Sequence, residues 1–142
     1  MFMSFFAAFG FGIIFNIKGK NLFFAGLNGM IGGIVYSLIK ENGNIFLAQF
    51  IASLVITLFS ISLARLLKAP LTTFLIAALI PLVPGGGMYQ TMLSIVNKDL
   101  DTALMTGLDT LGEACAIVMG ITFMSGLELA LNEWFKSRAH HL

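Results

Sequence analysis

The chain has 142 residues, 58% hydrophobic and 11% charged, and eight Lys/Arg against seven Asp/Glu leave a net charge of +1. Soluble domains carry about 25% charge, and a soluble domain this short cannot bury so large an apolar share. The balance excludes a nucleic-acid binder working through a basic face, excludes an acidic disordered tail, and points to a membrane protein.

Met1–Ile17 is uncharged and rich in Phe. Lys18 and Lys20 follow it, whereas a secretory signal places positive charge before its apolar stretch, so a retained first helix is expected. Asn21–Ile39, Ile45–Ala64 and Leu71–Val96 hold no Asp, Glu, Lys or Arg, and a last apolar stretch covers 103–131. A spanning helix needs about 17–25 residues. The expected fold class is therefore all-α: one transmembrane domain over 1–142, a bundle of about five helices at 1–17, 21–39, 45–64, 71–96 and 103–131.

In the second span Ala25, Gly29, Gly33 and Ser37 recur four apart, as do Gly112, Ala116 and Gly120 in the last. Small residues at this spacing let helices approach closely in lipid. Ordinary packing is the plain reading, and a sliding or inter-subunit surface is the sharper one.

The fourth span is interrupted by Pro84-Gly85-Gly86-Gly87, with Pro81 one turn earlier. Proline removes a backbone donor and clashes with the preceding turn, so the helix is expected to break at Pro84–Gly87, about 20 Å into the span. Irregular backbone at that depth survives only where protein or water surrounds it. A new helix N-terminus near Met88 would carry free N–H groups and partial positive charge, the arrangement with which transporters hold anionic groups. A kink filled by neighbouring helices is the structural alternative. Tyr89, just beyond the break, is a candidate hydroxyl donor to substrate or to a buried structural bond.

In the last span Asp109 and Glu113 lie one turn apart on the face of Gly112, Ala116 and Gly120. Intramembrane carboxylates normally face a bundle interior or cavity, and two so close in low dielectric favour holding a proton between them. That makes them candidates for proton coupling. An interfacial or salt-bridged role is the alternative, with Glu128 entering the membrane if the span slides toward Trp134.

With five spans, Lys18, Lys20, Arg65, Lys68, Lys136 and Arg138 share one side, and Lys40 and Lys98 the other. Positive-inside bias then puts the N-terminus outside and the C-terminus in the cytoplasm, with Trp134–Phe135 as an interfacial anchor. Cys115 is alone and expected to be a small packing residue, and His140–His141 read as a tail. No catalytic residue, metal or cofactor is expected: no nucleophile–base set, zinc pattern or phosphate-binding loop occurs.

Phe11-Gly12-Ile13-Ile14-Phe15-Asn16, the glycine-rich second helix, and Pro81-Leu82-Val83-Pro84-Gly85-Gly86-Gly87-Met88-Tyr89-Gln90-Thr91-Met92 together resemble the threonine/serine exporter family of bacterial inner-membrane proteins. The likeness is to its small split-subunit form, similar to the C-terminal membrane half of fused exporters, and the Pro-x-x-Pro-Gly-x-x-x-Tyr-x-x-Met pattern is its most specific element.

The resemblance implies proton-motive-force-driven export of small carboxylate-bearing metabolites: threonine, serine, or a dicarboxylate such as succinate. It also implies a larger membrane subunit carrying the N-terminal half; a second copy of this chain is a further candidate partner, and nucleic acid is not. The expected substrate-binding residues are Pro84, Gly85, Gly86, Gly87, Met88, Tyr89 and Asn16, the last also a candidate helix cap. A passive channel or a structural or assembly subunit are the alternatives.

Overall fold

The computed structural model describes residues 2–17, 19–41 and 43–139, with side chains described for 3–17, 19–41 and 43–134. Lys18, His140 and His141, and the side chains of Phe135, Lys136 and Arg138, therefore lie outside the described residues. Those described form helices and turns without strands: α1 (Phe2–Ile14), α2 (Lys20–Lys40), α3 (Ile45–Leu67), α4 (Leu71–Leu79), α5 (Gly85–Val96) and α6 (Leu100–Ala139). A 3-10 turn, Ile80–Leu82, extends α4.

Local chemistry sets the helix ends. The Asn44 side chain accepts the Leu47 N–H at 3.1 Å and caps α3. Lys68 closes α3 in the left-handed conformation (φ 48°), and Pro70 opens α4. Asp99 accepts the Thr102 N–H at the start of α6.

α2, α3 and α6 are long and apolar enough to cross a membrane, and α4 with α5 makes a further candidate span bent by 49°. At 13 residues α1 is shorter than a full crossing. It stops at Ile14 rather than Ile17 because Asn16 (φ 57°) turns the chain. The remaining boundaries differ from the apolar runs chiefly at α6, which is one helix of 40 residues, about 60 Å long and roughly twice the hydrocarbon thickness.

Small residues bring the helices together. A Cβ at Gly29 would collide with Ala8 of α1, one at Gly32 with Ile56 of α3, and one at Gly120 with Ser53 and the Phe50 carbonyl. Both small-residue stripes are thus occupied within the chain, as ordinary packing requires. Ala52, Ile56, Ala78, Leu82 and Ile117 form one core cluster, and Ala25, Phe74 and Ala77 another. Cys115 differs from expectation: it lies on the exposed side of α6, uncovered by the described residues.

Buried polar groups are tied internally, as an apolar surround demands. Asn28 donates to the Ile56 carbonyl at 3.2 Å and to Ser60 Oγ at 2.8 Å, pinning α2 to α3. Ser53 and Thr57 return their hydroxyls to carbonyls of their own helix.

The axial register follows from these contacts. α6 runs parallel to α3, with Gly112 against Phe46, Gly120 against Ser53 and Glu128 paired with Arg65. The first turns of α6 therefore run past the start of α3 and pack on α5, which meets no other helix among the described residues.

Candidate functional site

The site begins with the break. Pro81 has no N–H to donate into α4, and the chain leaves helical geometry at Val83 (φ −57°, ψ 129°) and Pro84 (φ −74°, ψ 54°). The Val83 N–H still reaches the Ile80 carbonyl at 3.2 Å, and the Gly85 N–H turns back to Val83 at 2.7 Å. Regular bonding resumes with Met88 N–H to Pro84 at 3.1 Å. The N–H groups of Gly86 and Gly87 lead α5 with no intrahelical acceptor, which makes this end electropositive.

The three glycines differ in surroundings. A side chain at Gly85 or Gly86 would stand in open space, whereas one at Gly87 would strike Thr110 of α6. Gly85 and Gly86 therefore leave backbone accessible from outside, and Gly87 lets α5 lie close against α6. Thr91 and Thr106 extend that seam with a 3.2 Å hydroxyl bond.

In an unbroken helix the Leu82 carbonyl would accept from Gly86. The break removes that donor, and Gln49 of α3 replaces it: Nε2 donates to the Leu82 oxygen at 3.0 Å. The same nitrogen donates to Glu113 Oε2 at 3.1 Å. Gln49 is 2% exposed, and its own Oε1 is buried with no hydrogen-bond partner among the described residues. One amide thus joins α3, the break and the carboxylate on α6.

The expected site residues fall into two groups. Pro84, Gly85, Gly86, Gly87 and Glu113 gather around this amide or the turn beside it. Met88 and Tyr89 follow on α5 but face outward, Tyr89 being 68% exposed, so it has no buried structural bond.

Asp109 is exposed while Glu113 is partly buried; the structure turns only the second carboxylate toward α3. Asn16 is not brought to the break. Its neighbours Phe15 and Ile17 line a pocket with Thr72, Thr73 and Ile76, near the opposite end of α4 and about 17 Å of helix away. Its positive φ, and its N–H to the Ile13 carbonyl at 2.9 Å, make it the residue that closes α1.

Glu128 pairs with Arg65, whose Nη2 donates to Glu128 Oε1 at 2.6 Å and to Asn132 Oδ1 at 3.0 Å. This cluster lies where α3 ends, far from Gln49 at its start. No group of three or more His, Cys, Asp or Glu able to hold a metal occurs among the described residues.

Gln49 was not singled out by sequence. Its signal was a primary amide inside a long apolar span, where such groups seek a partner on another helix, but nothing local says which partner.

These features define a multi-pass α-helical membrane protein organised around a discontinuous helix. The family described as "Threonine/Serine exporter, ThrE" matches residues 1–127, and the chain belongs to that family, whose members are transporters. It is also similar to a Haemophilus influenzae protein named only as an uncharacterized protein, 32% identical over 91 residues. The match takes in 63% of this chain and spans 31% of that relative's length. No solved structure matches the chain.

Proposed function

We propose that the chain is a membrane subunit of a bacterial inner-membrane exporter of small carboxylate-bearing metabolites, driven by the proton motive force. The observation that carries this reading is the broken helix itself. A free N–H group at Gly86 stands at an open surface, with that of Gly87 beside the seam with α6, close to a partly buried carboxylate held by Gln49. The first receives a substrate carboxylate, as half-helix N-termini do in transporters. The second is the acidic group on which a proton travels.

Threonine, serine and succinate all present a carboxylate, so the site's chemistry accommodates each of them. Pro84 and Gly85 shape the turn, Met88 continues the N–H series, and Tyr89 offers its hydroxyl toward substrate or partner. Asp109, exposed one turn before Glu113, is the entry point for the proton. Asn16 serves as an end cap for α1. The N-terminus faces outward and the C-terminus the cytoplasm, as the placement of Lys20, Arg65 and Lys68 favours.

A larger membrane subunit carrying the N-terminal half of the exporter completes the transporter. The test is efflux of labelled serine, threonine and succinate from liposomes, with and without that subunit, under an imposed pH gradient. Gradient-driven efflux requiring both chains is the expected result. Flux indifferent to gradient and partner would instead identify a passive channel.

A further inference from the structure

Gln49 donates to both of its neighbours and receives from neither, an arrangement that suits an ionised Glu113. A carboxylate is acceptor-only, whereas a carboxyl protonated on Oε2, the oxygen that faces Gln49, turns an O–H donor toward the amide. With Glu113 ionised, the amide points Nε2 at Leu82 and Glu113 and leaves Oε1 buried and unpaired. We propose that Gln49 is a positioning residue that transmits the protonation state of Glu113 to the broken helix. This rests on the proton-coupled reading above.

The step moves one proton and breaks no covalent bond. Protonation at Oε2 turns Glu113 from acceptor to donor, and the unpaired Gln49 Oε1 is the acceptor carried by the same side chain. Rotating the amide half a turn exchanges Nε2 and Oε1, which are nearly the same size. The new O–H···Oε1 bond then forms as the bond to Leu82 is lost. The Leu82 carbonyl, orphaned by the break, is released from α3, and the turn that carries Gly85–Gly87 is free to shift. A proton on Oε2 and the Nε2 bond to Leu82 exclude each other, so in this step proton uptake and release of the break are one event.

Few other charges reach this point. Among the described residues, α6 is packed by α3 and α5. On α3 the sole charge is Arg65, engaged with Glu128; on α5 the sole titratable group is Tyr89, which is exposed. On α6 itself Asp109 and Cys115 flank Glu113, both exposed.

The experiment places spin labels on exposed Met92 of α5 and Leu58 of α3 in a Cys115→Ser background of the full chain in nanodiscs. The inter-label distance and the Glu113 carboxyl infrared band, assigned with Glu113→Gln, are followed from about pH 4 to about pH 9, a range over which protein carboxyl groups titrate. The wild-type distance is expected to shift with the same midpoint as the carboxyl band, and Glu113→Gln to hold the low-pH distance throughout. In Gln49→Met the band should still titrate while the distance no longer follows it. Gln49→Asn, too short to bridge both groups, gives the same readout where Met disturbs folding.

A distance that follows pH in Gln49→Met as in wild type overturns the relay, as does a fixed wild-type distance while Glu113 titrates. A Glu113 band that never titrates overturns the proton-coupled reading itself, and the relay with it.

Discussion

The side-chain amide of Gln49 reaches across 33 residues of sequence to hold the Leu82 carbonyl at 3.0 Å. It supplies the hydrogen bond that the break in the fourth span takes away. Because the same nitrogen holds Glu113, removing this one side chain leaves two acceptors without their donor. Gln49→Met, which keeps the volume and loses the amide, should lower unfolding stability by about 1–3 kcal/mol. Unfolding in mixed detergent micelles checks this, and an unchanged midpoint would mean that water already serves both groups.

The glycines of the break should respond differently. Gly86→Leu extends into open space, so the variant should insert and fold like wild type while losing export, because the side chain covers the exposed N–H groups. Gly87→Ala meets Thr110 and should instead loosen α5 on α6, lowering stability by about 1–3 kcal/mol. Thermal unfolding alongside efflux separates the two effects. Wild-type export by Gly86→Leu would remove the N–H groups from the substrate site.

Gly120 lets α6 lie close against α3. An alanine there must displace Ser53 or the Phe50 backbone, and backbone yields less readily than a side-chain end. Gly120→Ala should cost about 1–3 kcal/mol, as overpacking does, and Gly126→Ala, where space is open, should cost nothing measurable. Equal unfolding midpoints for the two variants would contradict the packing seen here.

Arg65 and Glu128 form a part-exposed ion pair, their side chains 57% and 24% exposed. Solvent screening limits its coupling to about 0.2–1 kcal/mol, and salt should reduce it further. A double-mutant cycle with Arg65→Ala and Glu128→Ala in low and high salt measures it. Coupling well above this range would place the pair in a drier setting than its exposure indicates.

Asp99 lies between α5 and α6, outside the apolar part of either helix. The Thr102 hydroxyl, then its N–H, hold the Asp99 carboxyl below the usual carboxylate range. A lowered value means that the folded chain binds fewer protons than the unfolded one, so stability rises with pH here. The contribution is complete above the unfolded value of about 3.9 and is lost as pH falls through the lower folded one. The protection of amides around Thr102, exchange rates taken relative to their intrinsic values at each pH, should fall on acidification in wild type and vary little with pH in Asp99→Asn.

Much of the architecture is local and was therefore legible in the residues. The length of an apolar run decides whether a helix can cross a bilayer, and Pro84 with three glycines breaks one wherever it packs. Family membership likewise is read from the order of residues along the chain, the match covering 1–127. What the chain order could not express is how each helix is rotated and slid along its neighbours. Asp109 and Glu113 look alike in sequence, yet the seating of Gly112 on Phe46 and Gly120 on Ser53 turns only Glu113 toward α3. The same register puts Gln49 under the break and leaves Asn16 at the far end of α4. Those positions depend on close contacts between residues far apart in the chain, and only the folded bundle brings them together.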